Sequence, residues 1–167
     1  MPHYLYLLRH GQSAEKQVGQ TDKDRELTPT GIKQASLIGK YILKEQLKVD
    51  LVVSSTAQRA KATAQLVVDT AKIDNEKFIL EDELYEASTR TFLAFINACE
   101  DDSHYMMCVG HNPVISYLAE YLTKSEIGDM DTGGLVIIKF KSNYWKEVGP
   151  GTGELVNYVY PDMLVND

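Results

Sequence analysis

Three times along this 167-residue chain a short apolar run breaks off at a polar junction, and each time the junction carries an arginine or a histidine. Tyr4–Leu8 runs into Arg9-His10-Gly11. Leu51–Val53 runs into Ser54-Ser55-Thr56-Ala57-Gln58-Arg59. Tyr105–Val109 runs into Gly110-His111-Asn112-Pro113. Runs of this length bounded by turn residues read as buried strands. Helical spacing follows the second in Ala60, Ala64, Val67 and Ala71, and the third in Val114, Ile115, Leu118, Ala119 and Leu122. Strands alternating with helices predict an α/β chain, and in open α/β sheets ligands bind beyond the carboxyl ends of the strands.

Arginine and histidine at buried strand ends are costly without partners, and an anion serves all three junctions at once. Arg59 falls in the first turn of its helix, where the macrodipole disfavours a cation by a few tenths of a kcal/mol. That local conflict is resolved if Arg59 and the free N–H groups of the helix start face the same anion. A neutral histidine beside an arginine-bound phosphate can act as a nucleophile. Each residue alone has a plainer reading: a chance Arg-His pair, a solvated arginine, a hydrogen-bonded structural histidine. All three plain readings have to hold together for the junctions to mean nothing.

The rest of the chain reads as one continuous unit. A polar loop from Gln12 to Glu26 precedes a helix that starts at Thr28-Pro29 and runs to about Leu47, with Ile32, Ala35, Ile38, Ile42 and Leu43 as its apolar face. Ser55 and Thr56 are N-cap candidates for the helix from Ala57 to about Ala71, and Asn112 for the helix Pro113–Leu122. Phe78–Leu80 and Leu135–Phe140 read as strands, residues 91–98 as a helix, and Trp145–Val148 with Leu155–Tyr160 as a last hairpin. The Gly149-Pro150-Gly151-Thr152-Gly153 segment is a turn, since Glu154 and a strand follow where a phosphate loop needs Gly-Lys-Ser/Thr and a helix. The acidic residues at 100–102 read as a solvated turn. With no repeat and no linker, residues 1–167 are expected to be a single domain.

Composition narrows the function. The net charge of −7 argues against a general nucleic-acid or anionic-membrane surface, so positive charge for a phosphate must be concentrated locally. No apolar run approaches the roughly 20 residues that span a bilayer, and the start Met1-Pro2-His3 has no secretory pattern. Cys99 and Cys108 have no CxxC spacing and read as reduced thiols, which suggests the cytoplasm. His3, His10, His104 and His111 have no close ligand spacing, so neither a zinc site nor another metal or cofactor is expected. Hydrolysis of a phosphate ester also calls for an acid near the leaving oxygen. Candidates lie in Glu81-Asp82-Glu83-Leu84-Tyr85-Glu86-Ala87, where clustered carboxylates can hold a proton, although by the residues alone a solvated acidic loop fits slightly better.

Four blocks in order resemble the histidine phosphatase, or phosphoglycerate-mutase-like, superfamily. They are Arg9-His10-Gly11, the Leu27-Thr28-Pro29-Thr30-Gly31-Ile32-Lys33-Gln34-Ala35 helix start, Ser54-Ser55 with Arg59-Ala60 and Thr63-Ala64, and Val109-Gly110-His111-Asn112-Pro113. The short length and the Gly-His-Asn-Pro form are most similar to the SixA-type phosphohistidine phosphatase branch. The resemblance implies a three-layer α/β/α sandwich with a mostly parallel central sheet. It implies a covalent phosphohistidine on His10, with Arg9, Arg59 and His111 on the phosphoryl oxygens and no metal. N–H groups near Gly11 and Asn112 would add donors, and Arg25 would reach in from the first loop. The mutase-like Leu-x-Glu pattern matches Leu84-Tyr85-Glu86, which makes Glu86 the expected general acid and Glu83 the second choice. The mutase branch has Trp-Asn where this chain has Glu15-Lys16, and its lid insertions are missing here, which points away from phosphoglycerate. The expected substrate is protein phosphohistidine. A phosphatase for small phosphate esters or a mutase-like enzyme is the alternative, and a binding module without turnover a third reading.

Overall fold

The computed structural model describes residues 2–165; Met1, Asn166 and Asp167, the ends of the expected 1–167 unit, lie outside the described residues. Six strands form one sheet: β1 (His3–Arg9), β2 (Leu51–Ser54), β3 (Phe78–Leu80), β4 (Tyr105–Gly110), β5 (Leu135–Phe140) and β6 (Gly153–Val159). Their order is β3-β2-β4-β1-β5-β6. The pairs β2–β3, β2–β4 and β1–β4 are parallel, and β5 runs antiparallel to both its neighbours. Arg9 stands opposite Gly110 and Ser54 opposite Val109, so β1, β4 and β2 finish side by side. The three junctions singled out in the sequence therefore meet at one edge of the sheet.

Four helices cover the faces: α1 (Pro29–Lys44), α2 (Gln58–Thr70), α3 (Thr89–Asn97) and α4 (Val114–Thr123). Strand β1 is apolar over Tyr4–Leu8 because both its faces are covered, as expected of a central strand. Leu5 and Leu7 pack with Phe92, Ile96, Ile115 and Leu118 of α3 and α4. Tyr6 and Leu8 pack with Ile38, Ile42, Ala64 and Val67 of α1 and α2. The α/β class, the three layers and the mostly parallel sheet agree with the sequence expectation.

Several details differ. The buried stripe of α1 is Gly31, Ala35, Ile38, Gly39 and Ile42, which leaves Ile32 and Leu43 more than two-fifths exposed. Small residues at 31 and 39 let neighbours approach: a Cβ at Gly39 would lie 1.6 Å from the side-chain Oγ1 of Thr70 on α2, and one at Gly31 would meet the Gln12 backbone. Close helix approach, rather than apolar side chains, thus decides which face turns inward. Helix α1 also ends at Lys44, before Leu47.

The N-caps of two helices shift as well. Helix α2 has Ala57 at its cap, without a side-chain bond. Ser55 Oγ accepts from the Ala57 N–H, and Thr56 Oγ1 donates to Asp82 Oδ1 instead. At α4 the cap is Pro113, after a cis Asn112–Pro113 bond, and the Asn112 side chain accepts from Ser116 Oγ. The segment Trp145–Glu147 is a 3-10 turn, and β6 pairs with β5 rather than with it. Trp145 is fully buried, donates from Nε1 to the Ser103 carbonyl, and its N–H bonds Asp101 Oδ1. The acidic segment 100–102 is a turn with Glu100 and Asp102 exposed, as expected, while Asp101 supports this tryptophan.

Candidate active site

The loop after β1 can reach the site only because two backbones touch. A Cβ at Gly11 would lie 2.6 Å from the Gly31 carbonyl oxygen, and one at Gly31 would lie 2.1 Å from that of Gln12. Thr28 caps α1 by accepting from the Gly31 N–H at 3.0 Å, and its own N–H bonds the Gln12 carbonyl. The helix start and the Arg-His-Gly loop are locked together at this crossing. Gly31→Ala is expected to cost about 1–3 kcal/mol through overpacking against backbone that cannot retreat. The expected readout is a lowered midpoint in thermal or urea unfolding.

His10 is 7% exposed, at the end of β1. Its Nδ1 lies 2.7 Å from the Gly11 carbonyl oxygen, which can only accept, so Nδ1 carries the proton and Nε2 keeps its lone pair. Burial lowers its pKa to about 4, and the charges of Arg59, Arg9 and Arg25 act in the same direction against the Gly11 bond. His111 lies beside it, with ring centroids 5.1 Å apart. Its pKa falls to about 3, first through burial and then through His10 and Arg59. His111 Nε2 meets Ser55 Oγ at 2.8 Å. That hydroxyl also accepts from Ala57 N–H, and His111 Nδ1 is buried without a hydrogen-bond partner among the described residues.

Arg59 is 7% exposed although it is charged. Its two terminal nitrogens donate to Asp22, one to the main-chain carbonyl at 2.8 Å and one to Oδ2 at 3.1 Å. The main-chain carbonyl of Arg59 accepts from Thr63 Oγ1, which also accepts from the Gly11 N–H at 3.0 Å. Thr63 thus ties the β1 loop to α2. It also engages the Gly11 N–H, which the sequence reading assigned to phosphate.

Arg25 is held within its own loop. Its Nε donates to the Ala14 carbonyl, and its terminal nitrogens donate to Asp22 and Ser13. Its charge still reaches His10. Arg9 donates to the Met130 carbonyl at 2.6 Å, and its Nε is buried without a partner among the described residues. It lines a polar recess of about 330 Å³ with Gln34, Asp131 and Asp162.

On the opposite flank, a recess of about 210 Å³ is lined by Tyr85, Glu86, Phe92, His111 and Asn112. Glu86 and Glu83 are both exposed, but only Glu86 lines the recess that His111 lines, and the Glu83 N–H bonds the carboxylate of Glu81. Asp22, Ser55 and Tyr85 were not read as site residues. Tyr85 packs edge-on against His111 at 5.9 Å and donates to Asp22 at 2.7 Å. A charged residue in a polar loop carries no sequence signal of such contacts. An aromatic residue beside the suspected acid was the one available hint.

Two histidines held neutral by burial make stability depend on pH. Their folded pKa values lie below the ordinary value near 6.5, so the unfolded chain binds more protons between about pH 4 and 6.5. Stability therefore rises with pH across this window, is fully present above it, and is lost as pH falls through the folded values. Urea midpoints measured from pH 4 to 7.5 are expected to rise with pH, and His111→Gln is expected to flatten the rise. An equal slope in that variant removes His111 as a source.

Two histidines with lowered pKa values, the buried Arg59 and the half-buried Arg9 thus gather where β1, β4 and β2 end. The chain belongs to the histidine phosphatase superfamily (branch 1), whose family model matches residues 5–92. It is 32% identical over 165 residues to an uncharacterized protein of Mycobacterium tuberculosis strain H37Rv, covering 92% of this chain and 99% of that one. Among solved structures, the SixA protein of Agrobacterium tumefaciens, a phosphohistidine phosphatase by assignment, superposes with a TM-score of 0.82 at 26% identity, covering 96% of this chain and 99% of that one. The protein histidine phosphatase SixA complexed with tungstate shares the fold at a TM-score of 0.81 and 20% identity, covering 96% of this chain and 99% of the other. Among the described residues, no helix is long and apolar enough to cross a membrane.

Proposed function

We propose that this chain is a phosphatase that removes phosphate through a covalent phosphohistidine on His10, acting on protein phosphohistidine. The observation that carries the reading is the state of His10: buried, neutral, its Nδ1–H fixed on Gly11 and its Nε2 lone pair left for attack. Membership of the histidine phosphatase superfamily and the likeness to SixA proteins support it.

In the first step Nε2 attacks phosphorus in line. The N–P bond forms as the bond to the leaving group breaks. Charge on the transferring oxygens is met by Arg59, which Asp22 holds, by Arg9, which the Met130 carbonyl holds, and by His111, whose Nδ1 is buried without another partner among the described residues. Glu86, in the recess beside His111, supplies the proton to the leaving atom. In the second step water attacks the phosphohistidine, releases inorganic phosphate and restores neutral His10, its surplus proton passing to Glu86. These residues supply the positive charge themselves, so no metal is assigned a role. Residues 1–167 act as one unit in this reading, and the unbridged Cys99 and Cys108 fit a reducing cytoplasm.

The short connection from Glu86 to α3, which starts at Thr89, holds no lid insertion, which suits a phosphate borne on a protein side chain. The test is turnover of a phosphohistidine protein beside a panel of sugar phosphates and nucleotides. Faster hydrolysis of the protein, dependent on His10, is expected. Selective turnover of a small ester, with none on the protein, overturns the substrate assignment and leaves the chemistry in place.

A further inference from the structure

We propose that Asp22 is the positioning residue of the phosphate site, holding Arg59 in the orientation that the transferring phosphoryl group needs. The proposal rests on the phosphatase reading above. Asp22 opens a 3-10 turn, Asp22–Asp24, in the loop between β1 and α1. From there it joins three separate segments. Its main-chain carbonyl and Oδ2 take both terminal nitrogens of Arg59 on α2. Oδ1 takes Arg25 of its own loop at 3.1 Å, and Oδ2 takes the hydroxyl of Tyr85, which packs against His111.

The neighbouring residue adds a second tie: Lys23 pairs with Asp82 at 2.8 Å, and Asp82 also accepts from Thr56. The loop is thus tied to the neighbouring segments at two points, of which the Asp22 tie is the one that grips the arginine.

An arginine on a flexible stem is worth most to a phosphoryl group when its planar fork is oriented in advance. Asp22 uses one N–H from each terminal nitrogen of Arg59, which leaves three of the five donors of a guanidinium for another partner. The Arg59 charge is felt at both His10 and His111. The hydrogen bond from Tyr85, then those from the arginines, hold the Asp22 carboxyl well below the usual carboxylate range. It therefore stays anionic and is not itself a proton donor.

The opposite reading is an internal competitor, a carboxylate occupying arginines that phosphate would take. The two readings predict opposite signs. Removing a negative charge tightens an anion by Coulomb attraction alone, whereas losing the orientation of Arg59 weakens it and slows the chemical step.

The test compares wild type, Asp22→Asn, Arg59→Lys and the double variant. It measures kcat and KM for p-nitrophenyl phosphate, and Kd for tungstate by calorimetry. Asp22→Asn is expected to lower kcat/KM by about tenfold to a hundredfold, mostly in kcat, and to weaken tungstate. In the Arg59→Lys background the same change is expected to cost no more than about twofold, since a residue acting through Arg59 has little left to act on. Lys23→Ala, which cuts only the neighbouring tie, is expected to stay within about twofold of wild type.

Unchanged or improved kcat/KM with tighter tungstate in Asp22→Asn overturns the proposal in favour of a competitor. A full loss repeated in the Arg59→Lys background, or matched by Lys23→Ala, reduces Asp22 to general loop support. If wild type turns over neither p-nitrophenyl phosphate nor a phosphohistidine protein, the phosphatase reading fails by itself. The tungstate arm still decides the role of Asp22: weaker binding in Asp22→Asn upholds it, and equal or tighter binding ends it.

Discussion

His10→Ala is expected to lower kcat for an aryl phosphate by at least ~10³-fold, the scale on which loss of a covalent nucleophile is felt. The ring sits at the end of β1 with one nitrogen committed to the Gly11 carbonyl, so Nε2 is presented in one orientation. Burial and three arginine charges keep that nitrogen unprotonated. No other imidazole takes over at the same place: the nearest, His111, has Nε2 engaged by Ser55 and its centroid 5.1 Å away. The variant also removes a buried, poorly solvated group, so the unfolding midpoint should move far less than the rate. Steady-state kinetics and a melting curve on the same preparation check both. A rate within tenfold of wild type contradicts the role given to His10.

Arg59→Ala is expected to lower kcat/KM by about 10²–10³-fold, comparable with removal of a fixed donor from a transition-state site. The guanidinium is buried at the N-terminal turn of α2, where a cation is locally disfavoured. The structure tolerates it there because Asp22 neutralises it and because Thr63 binds its main-chain carbonyl. Truncation leaves Asp22 with Arg25 and Tyr85 but without its deepest partner. Arg59→Lys keeps the charge and loses the fork, so it is expected to recover only part of the loss. Kinetics with inorganic phosphate as competitive inhibitor separate the binding and rate components. A change confined to KM assigns Arg59 to ground-state binding alone.

How much of this was legible in the sequence follows from what local patterns encode. The strands and the helices after them were visible because β1, β2 and β4 are apolar runs closed by Arg, His, Ser and Gly. Parallel pairing then brings those closures to one edge. The inward face of α1 was misread at Ile32 and Leu43 because close packing at Gly31 and Gly39, which hydrophobic spacing does not encode, turned the helix. Trp145 was given to a hairpin because a β-prone residue beside a glycine-rich turn looks like a strand. Its burial depends on Asp101 and Ser103, more than forty residues earlier.

In the candidate site, His10, Arg59 and His111 stood out because each breaks a local rule. Asp22 and Tyr85 break none, and their contacts span 37 and 63 residues, so only the folded chain reveals them. Gly11 was read as a phosphate donor from its place in the motif, while its N–H is engaged by Thr63 on α2.

The central claim is a covalent phosphohistidine on His10, and labelling tests it most directly. Wild type and His10→Ala are incubated with a radiolabelled phosphodonor, quenched in alkali and examined for acid-labile, base-stable label. Label on wild type alone is the predicted result. Label retained on His10→Ala, or hydrolysis by that variant at the wild-type rate, would contradict it.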